Sequence, residues 1–273
     1  MMTTPASVRM PTFFLPHGGG PCFFMDWTPP DTWTRLRIFL EGLAKTLPER
    51  PKAIVVVSAH WLAQTFTVGA TGTPGMIFDY FGFPDHTYAL RFDAPGQPVL
   101  AARVVDRLRN VGLAAASDPD RGFDHGVFIP LLVAFPEADI PVVTLSLRAD
   151  LDPEAHRLAG QALKGLRDEG VLIVGSGMSF HNIRGYNNPA FRLPSERFDT
   201  WLTTAVEQPD PEARARALAA WTEAPDAELC HPRGNSEHLI PLMVAAGAAG
   251  DGLGRRVFSD ELMDVRISAY RFE

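Results

Sequence analysis

Residues 52–59 read KAIVVVSA, an apolar, β-branched run with no polar alternation. A strand of that kind must be covered on both faces, which places it in the middle of a parallel or mixed sheet flanked by helices. Two more runs repeat the pattern, IPVVTLSL at 140–147 and VLIVG at 171–175. A shorter one, TFFLP, stands at 12–16. Residues 66–70 and 88–93 read as further strands, and 265–272 alternates like a final edge strand. Helical periodicity falls between these runs, at 32–47, 97–110, 126–135, 153–169, 194–224 and 236–249. Buried strands separated by helices predict an α/β fold: a three-layer α/β/α domain around a mixed, largely parallel sheet. No repeat, low-complexity stretch or linker divides the chain, so residues 1–273 read as one domain.

The eight histidines narrow the function, because three of them stand just past predicted strands. His17 follows TFFLP and precedes three glycines. His60 follows KAIVVVSA. His181 follows VLIVG after a short loop. Ligand sites of open α/β sheets form in the crevice outside the carboxyl ends of the strands. Neighbouring parallel strands would therefore bring these three imidazoles together. One histidine after a strand is usually a hydrogen-bonded loop residue; three at equivalent positions argue for a shared site. His238 reads as first-turn on the helix at 236–249, with Asn235 or Ser236 as its cap, and either it or Glu237 could add a donor. His125 follows Asp124, a candidate cap for the apolar helix at 126–135, and suits a catalytic or a capping role. His156 reads as a solvated helix residue, His231 as structural, and His86 as a loop or pocket-mouth residue.

Imidazole donors without a thiolate set suit Fe(II), Zn(II), copper or nickel and disfavour a structural zinc site. The two cysteines, Cys22 and Cys230, form no CxxC pair and read as free thiols. A net charge of −7 with no Lys/Arg run speaks against nucleic acid or an anionic membrane as partner. The opening MMTTPASVRM carries no signal-like apolar run, and no stretch reaches membrane-spanning length, so the expected location is cytoplasmic. These residue types point to a metalloenzyme and leave open whether it is an oxygenase or a hydrolase.

Six segments in order carry a resemblance: LPHGGGP at 15–21, SAHW at 58–61, DYFGFP at 79–84, DHG at 124–126, GSGMSFHN at 175–182 and EHLIPL at 237–242. Together they resemble the class III extradiol ring-cleavage dioxygenases, in the 4,5-DOPA extradiol dioxygenase-like branch. The resemblance runs from about residue 11 to the closing YRF at 270–272. It implies a mononuclear metal, Fe(II) or in some members Zn(II), held by His17, His60 and His238, with Glu237 competing for the third place. It implies His181 as the acid–base histidine, at times counted as a ligand, and His125 as a pocket histidine facing substrate or oxygen. The implied partners are a small catechol-type substrate and O2; a homo-oligomer remains compatible. Phe78, Tyr80, Phe81 and Phe83 could line an aromatic pocket or pack on the core. The chain departs from the family pattern where Gly234, Asn235 and Ser236 lengthen the turn before Glu237. Two other readings share the same histidines: a zinc-dependent hydrolase, and a non-enzymatic binding protein of the same fold.

Overall fold

The computed structural model describes residues 8–273, so the expectation about the extreme N-terminus lies mostly outside the described residues. The elements follow in order as β1 (Thr12–Pro16), α1 (Thr34–Gly42), β2 (Ala53–Ala63), β3 (Phe66–Gly69), α2 (Pro98–Asn110) and β4 (Ala115–Asp118). Then come α3 (His125–Ala134), β5 (Val142–Arg148), α4 (Pro153–Leu163), β6 (Val171–Gly177), α5 (Arg192–Val206) and α6 (Pro211–Ala219). The chain closes with α7 (Ala227–Cys230), α8 (Pro241–Ala249), β7 (Gly254–Leu262) and β8 (Val265–Phe272).

All eight strands join one mixed sheet in the order β4-β3-β5-β2-β6-β1-β8-β7. Its centre is parallel: β5 with β2, β2 with β6, and β6 with β1. Every residue of β1 and β6 is buried, as their unbroken apolar sequences require. The two faces of β6 meet different helices. On one, a Cβ at Gly175 would collide with the carbonyl of Pro241 at the start of α8. On the other, the Ser176 hydroxyl donates to the carbonyl of Gly126 in α3. Helices therefore cover both faces, in the three layers that the sequence predicts.

Several expectations fail for identifiable reasons. Residues 88–93 form no strand; a 3-10 turn at Asp85–Ala89 runs into extended chain outside the sheet. β8 is not an edge strand, because β7 pairs outside it. β7 escapes the apolar signal because it carries arginines and acids on a largely exposed edge. The helix expected from residue 236 begins at Pro241, with Ile240 as N-cap. Proline lacks an N–H and its φ suits the first helical turn, so the helix starts there and leaves His238 in the preceding turn. α1 ends at Gly42 and tightens into a 3-10 turn.

His156 is also misplaced by the sequence. It is fully buried, not solvated. Its Nδ1 donates to the Asp152 carbonyl (2.7 Å) and its Nε2 accepts from the Arg148 N–H (3.0 Å). One neutral tautomer satisfies both, tying the end of β5 to the start of α4. Burial lowers its pKa to about 4. Between the ordinary value near 6.5 and that point, the unfolded chain takes a proton that the folded chain refuses. Stability attached to His156 is thus complete above about pH 6.5 and drains as pH falls, by up to ~1.4 kcal/mol per pH unit. Urea unfolding at pH 7 and pH 5 should show a steeper loss for the wild type than for His156→Gln. Equal losses would remove His156 from the account.

Candidate active site

The parallel order β2-β6-β1 sets the first three histidines beside one another. His17 continues β1 by one residue, its N–H donating to the Gly177 carbonyl at 3.1 Å. Its Nδ1 donates to the carbonyl of Gly18 at 2.8 Å. Gly18 holds a φ of +87° and Gly20 one of +53°, left-handed conformations that turn the chain away from the strand. His60 does not end its strand, as the sequence suggests. It lies within β2, in the stretch where pairing with β5 slips between Val57 and Leu62. That irregularity lets its ring leave the sheet's alternation. His238 sits in the turn before α8, with its carbonyl accepting the Met178 N–H at 2.9 Å. A Cβ at Gly177 would overlap that same carbonyl, so only glycine lets the end of β6 carry His238 this closely.

The His60 Nε2 lies 3.2 Å from the Nε2 of His17 and 3.3 Å from that of His238. Each ring's other nitrogen has an acceptor. His17 has the Gly18 carbonyl, His238 has the Glu237 carboxylate at 2.9 Å, and His60 faces Asp79 at 3.4 Å. With the proton held on Nδ1, the Nε2 lone pairs of His17 and His238 are free on either side of the Nε2 of His60. Adjacent nitrogens on one cation, at bonds of about 2.0–2.1 Å, stand roughly 2.9–3.4 Å apart. The spacing here falls in that interval, so the donor set fits a metal ion.

Two further histidines flank this centre. His125 opens α3; its backbone N–H and its Nδ1 both donate to Asp79 Oδ1, at 2.9 and 2.8 Å. Its ring lies 3.8 Å from that of His60, centroid to centroid. Asp124, expected to cap α3 through its side chain, instead accepts from Ser58 and Arg121. Asp79 takes the capping role from outside the helix. His181 stacks on His238 with centroids 3.3 Å apart and planes at 13°, and its Nδ1 is 3.8 Å from Glu237. By donor spacing, His17, His60 and His125 form one compact group, and His181, Glu237 and His238 a second. The His60–His238 contact joins the two.

Burial sets the charge state. It holds His17 and His238 well below the ordinary imidazole value, with the neighbouring histidines adding to the effect. Burial first, then the charge of His125, brings His60 down to about 3 and His181 to about 4. These rings are neutral near pH 7, the form that binds metal or accepts a proton. Burial alone would raise Asp79, but hydrogen bonds from His125 outweigh it and hold the carboxyl below its ordinary range. Burial raises Glu237.

The remaining candidates fall outside the centre. His86 is exposed and bonds the Phe24 carbonyl. His231 is buried and donates to the Ser179 carbonyl. Cys22 and Cys230 are free and buried, and burial pushes both thiols up, which makes them poor ligands. Of the aromatic group, Tyr80 packs 5.8 Å from His125. Phe78 packs on Phe128, Phe83 lies against Gly20, and Phe81 is 91% exposed. Asp79 is the candidate site residue that sequence reasoning passes over. It appears only as the first letter of DYFGFP, yet it braces both His60 and His125.

Comparison with known proteins places this geometry in a family. The description "Catalytic LigB subunit of aromatic ring-opening dioxygenase" matches residues 11–268. A 4,5-DOPA dioxygenase extradiol of Beta vulgaris is 40% identical over 244 residues, covering 88% of this chain and 87% of that protein. A dioxygenase of Hapsidospora irregularis, tasH, is 37% identical over 287 residues, covering 97% and 87%. The crystal structure of an uncharacterised Escherichia coli K12 protein superposes with a TM-score of 0.76 at 29% identity, covering 97% of this chain and all of that one. Nothing in these matches supports the hydrolase or the binding-protein reading. The chain belongs to the LigB family of aromatic ring-opening dioxygenases, metal-dependent enzymes that cleave a catechol ring with O2.

Proposed function

We propose that this chain opens a DOPA-like catechol on the extradiol side, at Fe(II) held by His17, His60 and His238. The observation that carries the reading is that the Nε2 of His60 meets the Nε2 of both His17 and His238, while the Nδ1 of each ring has its own acceptor. A thiolate-free imidazole set suits either Fe(II) or Zn(II); the oxygen chemistry of the family favours Fe(II). When bound, the metal supplies a place for both hydroxyl oxygens and O2 to meet, together with a path for electron density between them.

The surrounding residues do the proton work. His181, neutral and partly exposed, takes a proton from a substrate hydroxyl and later returns one to the product. His125, its Nδ1 held by Asp79, lies beside His60 and in its imidazolium form has a second N–H, on Nε2, for negative charge developing on the reacting oxygens. Both atoms of O2 enter the product, a muconic semialdehyde. Tyr80 supplies an aromatic surface beside His125. We place this activity in the cytoplasm, in a chain acting as one domain; no helix among the described residues is long and apolar enough to cross a membrane.

The test is anaerobic loading with Fe(II), then O2 uptake across a panel of catechols that includes DOPA. The expected result is one O2 consumed per yellow ring-cleavage product. Absence of uptake with every catechol, despite one equivalent of bound iron, would overturn the reading. A second test addresses Asp79. Asp79→Asn weakens the hold on His60 and His125 together, and loss of such an orienting carboxylate costs roughly 10–100-fold in metal affinity or activity. A variant with wild-type kinetics and wild-type metal affinity would remove Asp79 from the site.

A further inference from the structure

We propose that Glu237 is a positioning residue that sets two histidines with one carboxylate oxygen, and is not itself a metal ligand. The inference rests on the metal reading given above. Glu237 Oε1 lies 2.9 Å from His238 Nδ1 and 3.8 Å from His181 Nδ1. The two rings are stacked at 3.3 Å with planes only 13° apart, so both present the same edge to that oxygen. The His238 Nε2 meanwhile faces His60 at 3.3 Å. Nδ1 and Nε2 project from opposite sides of an imidazole ring. An oxygen bonded to one cannot also reach an ion bound by the other. Donor spacing alone puts Glu237 with His181 and His238; the direction of the His238 ring is what separates the carboxylate from the ion.

The backbone explains why this carboxylate can serve both rings. The His238 carbonyl is tied to the Met178 N–H, three residues before His181. The His181 N–H is tied to the Cys230 carbonyl, on the segment that leads into the lengthened turn at Gly234, Asn235 and Ser236. The loop carrying Glu237 and the loop carrying His181 are thus pinned to each other at the end of β6. Glu237 lies between them with its side chain only 18% exposed, which leaves it few other rotamers. On His238 it fixes the proton on Nδ1 and the plane of the ring, keeping Nε2 aimed at the centre. Through the stack, the same contact fixes how far His181 stands from a bound substrate.

The experiment compares Glu237→Gln and Glu237→Ala with wild type and His238→Ala, using Co(II) as the binding probe and Fe(II) for turnover. Readouts are the Co(II) dissociation constant by chelator competition, the Co(II) visible spectrum, and kcat and KM at saturating Fe(II). The expected result is that Glu237→Ala weakens Co(II) binding roughly 10–100-fold and lowers kcat with KM little changed. Glu237→Gln, isosteric and still an acceptor, recovers most of the affinity and keeps the wild-type spectrum. In a His181→Ala background, Glu237→Ala no longer lowers kcat, because the coupling is lost with its partner. If Glu237→Gln loses Co(II) as completely as His238→Ala, the carboxylate is a ligand and the proposal is overturned. If Glu237→Ala matches wild type in affinity and kcat, it is also overturned. Retention of Co(II) by His238→Ala would instead overturn the underlying metal assignment, which separates the two failures.

Discussion

His60→Ala is expected to leave the folded chain without its metal and to lower kcat/KM by on the order of a thousandfold or more. A bound ion contributes several kcal/mol of charge stabilisation, and each 1.36 kcal/mol is a factor of about ten. His60 is the best single position for this test because its Nε2 contacts both His17 and His238. Its loss opens the middle of the donor set and leaves two nitrogens that no longer share a neighbour. The ring is partly exposed, and the ladder to β5 is held by Ile54–Val57 and by Leu62 and Ala63 on either side of His60, so the fold should survive. Metal content by elemental analysis, circular dichroism and O2 uptake together decide the matter. His86→Ala, at an exposed histidine bonded only to the Phe24 carbonyl, serves as the control and should leave all three unchanged. A His60→Ala protein that still binds one iron and turns over would mean that the centre lies elsewhere.

The legible part of this molecule is the part fixed by local periodicity. KAIVVVSA, IPVVTLSL and VLIVG declare their burial by composition alone, and β2, β5 and β6 form close to where those runs stand. β1 matches TFFLP residue for residue. Once β2, β6 and β1 are parallel neighbours, the rule that sites form past their carboxyl ends brings His60, His181 and His17 to one edge. What stays hidden depends on distant pairing. β4 has four residues and finds its place only against β3. Asp79 reaches His125 across 46 residues, a contact that no local pattern encodes. His156 looks solvated on a helical wheel, but the closing of β5 against α4 buries it. Glu237 and His238 are adjacent in sequence, so either could be imagined as the donor. Only the direction of the His238 ring separates their roles.

His181→Ala is expected to part metal binding from catalysis. Its Nδ1 faces Glu237, and its ring stacks on that of His238, while the Nε2 contacts that join His17, His60 and His238 run through His60. Removing it therefore leaves the proposed donors His17, His60 and His238 in place, with Glu237 still bonded to His238 Nδ1. Iron content should stay near one per chain, and KM for the catechol should change little. The loss falls on kcat, by about 10²–10⁴-fold, the usual contribution of a placed proton-transfer group. Asn or Gln at this position should be as slow as Ala, because neither titrates near neutrality. The loss should shrink for a catechol whose hydroxyl is already ionised in solution, since a general base has less to do for that substrate. If His181→Ala instead releases the metal as His60→Ala does, then His181 is a fourth ligand. The proton-transfer role would then pass to His125, the remaining histidine facing the centre and the one held in place by Asp79.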